Sequence, residues 1–356
     1  MKYLTKLAIF LFLFNNSALA QLNVSVDGSN AIQVFEVAGK KVNLGQDSFL
    51  NSSSVLSSDI NSLTGNAAVL KMNSVGLHSN NPDPLLTSQV STEAGDESLR
   101  IYAGLNGSFI VRENIANFLF FDANGDIKQS ISNSSQSTEG ESISELAKDP
   151  ASKTVVLYNP KIVRDGVEGS RARIVNSNST TEDLYYSSDR AIRDVKVTNN
   201  GQYIGVITYG NGDDRLSLFD RFGNKLNMIS FDQSIMDFEF SSNGKFVTIR
   251  SNGRIGVYDT VSGERKGSTS LRTRLHFATF VPEESTIIAI TAERTGNTLS
   301  DIEFHAINTE LRSIERNELN ARLGINDMVP VNLQRKSAYN YRFTGFNNPV
   351  DMSVRF

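Results

Sequence analysis

The chain has 356 residues, a formal net charge of −4, no cysteine and no tryptophan. Charges of both signs are interspersed without a basic stripe, whereas binding to a nucleic-acid backbone requires clustered Lys and Arg side chains. The lack of cysteine excludes disulfides, lipid anchors on a thiol and thiol nucleophiles. We therefore expect no nucleic-acid partner, and we predict no cofactor.

The N-terminus has the pattern of a signal peptide, which we place at residues 1–20. Lys2 and Lys6 form a positively charged region before an apolar run, Leu7–Phe14, and a small-residue cleavage site follows at Ala18–Ala20. The run is shorter than the roughly 20 apolar residues of a transmembrane helix, and no later segment reaches that length. We predict an exported protein, periplasmic or secreted and from a Gram-negative bacterium, with residues 21–356 forming one domain.

A short phrase recurs along the mature chain. It consists of an apolar residue, a spacer, an acid and alternating apolar positions, followed by a turn and a compact apolar strand. The phrase is clearest at Ile192–Val197 and Ile235–Phe240. Copies begin at residues 55, 99, 143, 192, 235, 275 and 325. Successive copies therefore begin 40 to 50 residues apart. Tandem units of this length, made of strands and turns, are typical of β-propeller blades.

The repeat that begins at residue 235 predicts a complete four-stranded blade. Asn-Gly dipeptides separate its β-rich runs, and Asn-Gly is the strongest short hairpin signal because glycine tolerates positive φ. Second strands such as Thr286–Ile290 are continuous apolar runs, which indicates burial on both faces. The four predicted strands are Ile235–Phe240, Lys245–Arg250, Arg254–Asp259 and Glu264–Thr269.

Seven phrases predict an all-β, seven-bladed propeller, with six or eight blades left open because residues 55–97 are degenerate. The last phrase has too little chain after it for a full blade, and a third-strand pattern at Ile32–Glu36 precedes the first phrase. We therefore expect residues 325–346 to pair with residues 31–46 in one composite blade, which would close the ring. Val350–Phe356 is then an extra edge strand, or the third strand of a three-plus-one closure.

Two of the repeats resemble a known class of propeller. Residues 192–230 and 235–269 share the pattern apolar-x-Asp-apolar-x-apolar followed by Asn-Gly, and the second repeat continues through Val257–Thr260 and Ser262–Glu264. This pattern resembles the YVTN and WD-repeat-like propeller superfamily, although true WD repeats contain tryptophan and a Gly-His dipeptide. The resemblance implies the architecture and a capacity to bind other molecules.

The acid of the recurring phrase is the first candidate site, and it stands at Glu145, Asp194, Asp237 and Asp327. If the first strands line the central channel, these carboxylates would form a layer able to bind a cation or a basic peptide. In the alternative interpretation each acid accepts hydrogen bonds from an adjacent turn and fixes the register of its blade. Repetition in every unit favours this structural role.

A second candidate is the sequence from Asp122 through Asn124 to Asp126, which resembles the start of a calcium-binding loop. Asn133 stands where such a loop has its bidentate glutamate, and similar turns begin at Asp220. We therefore prefer a turn in which the aspartate bonds its own backbone, and predict no metal. The three histidines, His78, His276 and His305, share no metal-ligand spacing, and His305 is expected at the surface.

We predict a non-catalytic propeller that acts as a protein-binding or assembly scaffold in the bacterial envelope or exterior. Function on such a scaffold resides in loops, which directs attention to the irregular stretches 73–95, 130–141, 161–183 and 292–301. One alternative is a hydrolase or lyase with acids at the channel mouth and Arg193 as an electrostatic partner. Another is a glycan-binding propeller with exposed aromatics in one groove, drawn from Tyr185, Tyr186, Tyr209, Tyr339 and Tyr341.

Overall fold

The structure is a computed structural model in which strands account for nearly all of the regular secondary structure. The predicted signal peptide lies outside the described residues, and so does Asp327. In the part of the chain that is described, no helix has the length and apolar character to cross a membrane. The described residues are 21–26, 34–37, 40–43, 55–61, 63–64, 66–78, 84–89, 98–134, 140–231, 233–271, 274–281, 286–308, 313–325 and 331–355.

The chain begins with three short strands that precede the first complete blade. These are β1 (Gln21–Val26), β2 (Val34–Val37) and β3 (Lys40–Asn43). Blade 1 follows as β4 (Val55–Ile60), β5 (Ala67–Lys71), β6 (Ser74–His78) and β7 (Leu86–Gln89). Blade 2 consists of β8 (Arg100–Ala103), a 3₁₀ turn (Leu105–Gly107), β9 (Phe109–Arg112), β10 (Asn117–Phe121) and β11 (Ile127–Ser132).

The remaining blades follow in chain order. Blade 3 has five strands, β12 (Gly140–Glu141), β13 (Glu145–Lys148), β14 (Val155–Arg164), β15 (Val167–Val175) and β16 (Thr181–Ser187). Blade 4 has β17 (Ala191–Val197), β18 (Tyr203–Gly210), β19 (Asp213–Asp220) and β20 (Lys225–Phe231). Blade 5 has β21 (Asp237–Phe240), β22 (Phe246–Ser251), β23 (Arg254–Asp259) and β24 (Arg265–Ser270). Blade 6 has β25 (Leu275–Phe280), β26 (Thr286–Thr295), β27 (Thr298–Asn308), β28 (Ser313–Leu319) and β29 (Leu323–Gly324). Blade 7 begins with β30 (Asn332–Ser337), β31 (Asn340–Thr344) and β32 (Val350–Arg355).

The structure confirms the seven-bladed propeller predicted from the repeat. Seven antiparallel sheets follow the order first, second, third and fourth strand. In blade 5 the observed strands agree with the predicted ones to within two residues. Gly244 and Gly253 adopt φ of +73° and +87° in its first two turns, a conformation that glycine reaches without steric cost.

The ring is closed by the N-terminal strand, but not by the residues predicted to do so. β1 pairs antiparallel with β32 and forms the outermost strand of blade 7, with Leu22 opposite Val354. The prediction that residues 31–46 would close the ring is wrong, because β2 and β3 in this region pair with each other as a separate hairpin. An outermost strand needs only one apolar face. In β1 the apolar residues alternate with polar ones, so that Leu22, Val24 and Val26 lie on the same face and pack into the apolar cluster shared with blade 6.

Neighbouring blades pack through apolar clusters that contain the predicted continuous strands. All of Thr286–Ala292 in blade 6 is buried. Phe304 of blade 6 and Phe343 of blade 7 are both 0% exposed, with ring centroids 5.6 Å apart. Truncating a buried phenylalanine of this kind to alanine costs about 3–5 kcal/mol. Such packing between blades gives a rigid frame for whatever the two faces of the ring bind.

The strand order assigns every turn to one of two faces. Because strands alternate in direction, connections between blades and turns between second and third strands lie on one face, here called the connection face. Turns between first and second strands, and between third and fourth strands, lie on the opposite turn face. The first strands of successive blades contact one another: β4 contacts β8, and β13 contacts β17. The first strands therefore line the central channel.

Blades 3 and 6 extend farther over the connection face than the other blades. Their second strands have 10 residues each, against 8 in blade 4 and 6 in blade 5. At about 3.3 Å per residue, the additional residues lengthen each hairpin by about 7 Å relative to blade 4 and about 13 Å relative to blade 5. A fifth strand pairs with each extension: β12 with Ile162 and Val163, and β29 with Thr298 and Leu299. The stretches 161–183 and 292–301, predicted to be irregular, are therefore mostly strand, and they form these two hairpins.

Candidate functional site

Glu145 joins the first strand of blade 3 to two arginines of blade 2. Its carboxylate lies 3.0 Å from Nη1 of Arg112 and 3.6 Å from Nη1 of Arg100. Arg112 is only 2% exposed and also donates to the carbonyls of Ser98 and Ser144, at 2.6 Å each. A buried guanidinium is stable only when its donors are satisfied. Glu145 therefore neutralises a buried cation between two blades.

Asp237 joins blades 4 and 5 in a similar way. Its carboxylate accepts hydrogen bonds from Nζ of Lys196 at 2.7 Å and from Nη2 of Arg250 at 3.2 Å. Lys196 also donates to Glu239 at 2.5 Å. Burial alone would raise the pKa of Asp237, but the two cations outweigh it and hold that pKa below its usual value. Two of the predicted acids thus hold blades together through neighbouring basic side chains, rather than through adjacent turns.

Asp194 differs from these two acids because it forms no ion pair within the described part of the chain. Its only hydrogen bond there comes from the backbone N–H of Val195, at 2.8 Å. Burial raises the pKa of its carboxyl to about 6; Lys196 opposes this shift, and the carboxylates of Asp237 and Glu239 add to it. A half-buried carboxyl with a raised pKa beside a channel is typical of functional positions.

A cavity of about 300 Å³ opens in the channel between the first strands of blades 1 to 4. Asp59, Lys148 and Lys196 contribute its charged lining. The Asp59 carboxylate accepts the backbone N–H of Ala103 at 2.7 Å, and Nζ of Lys148 donates to the carbonyl of the same residue at 2.6 Å. Burial lowers the pKa of Lys148. The predicted acids Glu145, Asp194 and Asp237 are not among the residues that line this cavity.

Arg193, considered as a partner for the channel acids, binds elsewhere. Its Nη1 lies 2.7 Å from the carboxylate of Asp214 and also donates to the carbonyl of Ile235. Its guanidinium stacks over the ring of Tyr209, 4.9 Å from the centroid. These three contacts hold Arg193 on the connection face, between blades 4 and 5. The role suggested for it beside Asp194 and Asp237 is therefore not supported by its contacts.

The calcium-loop candidate forms a turn around its own aspartate. Oδ1 of Asp122 accepts the backbone N–H groups of Asn124 and Asp126 at 2.9 and 3.0 Å, and Oδ2 lies 2.7 Å from Nζ of Lys128. Asp220 accepts the same two backbone bonds in blade 4, at 2.8 and 2.9 Å. Within the described ranges, no cluster of three or more His, Asp or Glu side chains is suited to hold a metal ion.

The histidines lie in separate environments. His305, expected at the surface, is 1% exposed, with Nε2 2.9 Å from Oγ1 of Thr291. Burial lowers its pKa to about 4. The surface prediction was wrong because the third strand of blade 6 continues to Asn308, so His305 lies inside β27, between Ala289 of β26 and Arg316 of β28, and not at the end of the strand. Nε2 of His276 lies 3.0 Å from the carbonyl oxygen of Ala292.

The tyrosines proposed for a glycan groove lie on three different blades. Tyr186 is 47% exposed on the fourth strand of blade 3, and Tyr209 is 37% exposed on the second strand of blade 4. Tyr339 is 47% exposed at a turn of blade 7, whereas Tyr341 is 1% exposed in the core. Tyr341 is therefore covered by the core, and the exposed tyrosines belong to blades 3, 4 and 7.

The cations that pair with the first-strand acids were not among the residues predicted from the sequence. Lys196 and Arg250 bind Asp237, and Arg112 binds Glu145. The signal for Lys196 was present, because it stands two positions after Asp194 in the same phrase. Residues two apart in a strand share a face, which places that lysine beside the next acid around the channel.

Comparison with known proteins supports the fold and does not assign a family. No protein-family model matches the chain, and no curated protein matches its sequence. Among solved structures, the propeller of Dos1 is similar at a TM-score of 0.55 with 12% sequence identity, covering 81% of this chain and 74% of that one. In total 1114 chains of solved structures match, and such a common architecture indicates no particular activity.

Proposed function

We propose that this protein is an exported, non-catalytic β-propeller that binds a partner protein on its connection face, within an assembly of the bacterial envelope or exterior. The observation that carries the proposal is the pair of extended hairpins on blades 3 and 6. Blades 4 and 5 lie between them on the shorter side of the ring. A rigid ring with two raised walls on one face offers a cleft for a partner.

The state of the channel acids supports binding rather than catalysis. Glu145 and Asp237 are engaged by arginine or lysine from a neighbouring blade, and they stand on different blades. A catalytic acid or base must lie within hydrogen-bond reach of the proton that it transfers. Glu145 and Asp237 instead neutralise cations between blades, and they therefore stabilise the ring.

Copurification with two matched variants tests the proposal. The tagged protein, purified from the envelope fraction of its own cells, should bring one partner in stoichiometric amount. Val167 is 51% exposed at the hairpin tip of blade 3, and Phe222 is 71% exposed on the turn face. Val167→Glu should reduce recovery of the partner, whereas Phe222→Glu, which makes the same kind of change on the other face, should not. Recovery of a clean monomer, or equal effects of both variants, would contradict binding at the connection face.

Export is tested separately by sequencing the N-terminus of the purified protein. We expect the mature chain to begin at Gln21, directly after the predicted cleavage site. This residue is also the first of β1, so cleavage there would leave the closing strand intact. A mature protein that begins at Met1 and stays in the cytoplasm would contradict export.

General acid–base catalysis is a second candidate function, and the half-buried Asp194 is the observation that favours it. A carboxyl whose pKa lies at about 6 can donate and accept a proton near neutral pH. Turnover of an ester or glycoside substrate by the purified protein, lost in a folded Asp194→Asn variant, would establish this function. Absence of that loss would leave the binding proposal as the better account.

A further inference from the structure

Six Asn-Gly dipeptides lie in turns of the propeller, and one of them differs from the others in its hydrogen bonds. Besides favouring hairpins, an Asn-Gly dipeptide can react with itself, because glycine has no side chain to shield its backbone nitrogen from the preceding carboxamide. The surrounding structure decides whether the two groups can meet. The six dipeptides are Asn106-Gly107, Asn124-Gly125, Asn200-Gly201, Asn211-Gly212, Asn243-Gly244 and Asn252-Gly253.

In three of the dipeptides the glycine N–H donates to the carbonyl of the residue three positions earlier. The distances are 3.1 Å for Gly125 and 2.8 Å for both Gly201 and Gly244. The carboxamide oxygen of Asn243 is also held, because it accepts hydrogen bonds from Oγ of Ser241 and from the backbone N–H of Lys245. A nitrogen whose N–H is engaged in this way must first leave its acceptor before it can attack a side chain.

In the other three dipeptides the glycine N–H forms no hydrogen bond with the described part of the chain. Two of the three asparagines are nevertheless constrained. Nδ2 of Asn211 donates to Oδ2 of Asp189 at 2.7 Å. Asn106 has φ of +54° and ψ of +31°, which turns the nitrogen of Gly107 away from the side chain of Asn106. Each of these turns must therefore rearrange before the two groups can react.

Asn252 has neither of these constraints. It is exposed in the turn between the second and third strands of blade 5, and its φ is negative. Its carboxamide forms no hydrogen bond with the described residues. The carbonyl of Gly253 accepts the backbone N–H of Leu271 at 2.7 Å, which anchors the turn without engaging the nitrogen of Gly253. The carboxamide of Asn252 is thus able to rotate towards that nitrogen.

We propose that Asn252 is a site of spontaneous deamidation in the folded protein. The backbone nitrogen of Gly253 forms a bond to Cγ of Asn252, and the bond from Cγ to Nδ2 breaks. The departing amino group takes the proton of the Gly253 nitrogen and leaves as ammonia, so that a five-membered succinimide ring remains. Water then opens the ring at one of its two carbonyl carbons and gives aspartate or isoaspartate. No oxidant or reductant is required.

Both products place a new carboxylate on the connection face. The turn lies in blade 5, between the hairpins of blades 3 and 6. Isoaspartate in addition carries the main chain through the former side chain, which lengthens the turn by one carbon where Ser251 pairs with Arg254. The inference does not depend on the proposed function, because the reaction needs only water and takes place whether or not a partner binds this face.

Peptide mapping by mass spectrometry tests the proposal. The folded protein and the same protein unfolded in guanidinium chloride are incubated side by side at mildly alkaline pH, and deamidation is followed at all six asparagines. Unfolding should bring the six rates close together. In the folded protein Asn252 should react fastest, and each hydrogen bond that must first break should slow another site by about fivefold, which corresponds to about 1 kcal/mol. A rate at Asn252 equal to or below that at Asn243 in the folded protein would overturn the proposal.

Two variants, both checked for folding by circular dichroism, test the argument from hydrogen bonds. Asn252→Ser removes the carboxamide, so it should abolish deamidation in this turn and leave the other five rates unchanged. Asp189→Ala removes the acceptor of the Asn211 carboxamide, so deamidation of Asn211 should become about fivefold faster while Asn252 is unaffected. An unchanged rate at Asn211 would overturn the argument by which Asn252 was chosen.

Discussion

Replacing Asp194 by asparagine should make the folded protein more stable at neutral pH. Burial raises the pKa of this carboxyl from 3.8 to about 6, despite the opposing effect of Lys196. A difference of about two pKa units, at 1.36 kcal/mol per unit, corresponds to about 3 kcal/mol for holding the charged form in the fold. Because the side chain is partly accessible to water, we expect the variant to gain about 1–3 kcal/mol in the free energy of unfolding.

The gain should depend on pH in a defined direction. A group whose pKa is raised in the folded state favours folding below its unfolded pKa, and this contribution is lost as pH rises through the folded pKa. The difference between wild type and Asp194→Asn should therefore develop between pH 3.8 and about 6 and stay constant above that range. Urea unfolding followed by far-UV circular dichroism, at about pH 4 and about pH 7.5, measures it.

Asp237→Asn is the matched control, because Asp237 occupies the same position in the next blade. It accepts hydrogen bonds from Lys196 and Arg250, so its loss should lower the free energy of unfolding by about 1–3 kcal/mol at neutral pH. If Asp194→Asn destabilised the protein as much as Asp237→Asn, Asp194 would be a structural acid like its neighbour. The reasoning from its raised pKa would then be refuted.

Three further outcomes are expected from the same unfolding assay. A mature chain lacking residues 21–26 should unfold at lower urea concentration than the intact chain, because β1 closes blade 7; an unchanged midpoint would contradict the closure. Arg112→Ala should cost about 3–5 kcal/mol by removing the closer cation from Glu145 and leaving the carbonyls of Ser98 and Ser144 without their guanidinium donor, whereas Arg100→Ala, at an exposed partner of the same acid, should cost less than about 1 kcal/mol. His305 has its pKa lowered from 6.5 to about 4, so the stability it contributes above pH 6.5 should be lost as pH falls towards 4, and His305→Asn should flatten that part of the profile.

The fold could be predicted largely from local signals. Asn-Gly turns and alternating strands recur at nearly constant spacing, and each blade depends mainly on contacts within itself and with its neighbours. The identity of the closing strand could not be predicted in this way. Residues 21–26 show only a short alternation, and the choice between them and residues 31–46 depends on which segment packs against blade 6. The pairing of this segment with β32 joins residues about 330 positions apart, as with Asn23 and Ser353.

The candidate site was harder to predict because its chemistry depends on pairing between blades. The sequence shows an acid at the same place in several repeats, but not that Glu145 meets Arg112 or that Asp194 forms no ion pair among the described residues. The extended hairpins were expected to be irregular, since polar residues dominate their outer parts. Strand pairing with β12 and β29 overrides that composition.

Photo-cross-linking in intact cells tests the central claim, that a partner protein binds the connection face, most directly. A photoreactive phenylalanine analogue replaces Val167 on the connection face in one strain and Phe222 on the turn face in another, both at exposed positions. We predict one discrete cross-linked protein from position 167 and none from position 222. Cross-linking from position 222 alone would contradict the account, and so would the absence of adducts at position 167 and at further connection-face positions 115 and 236.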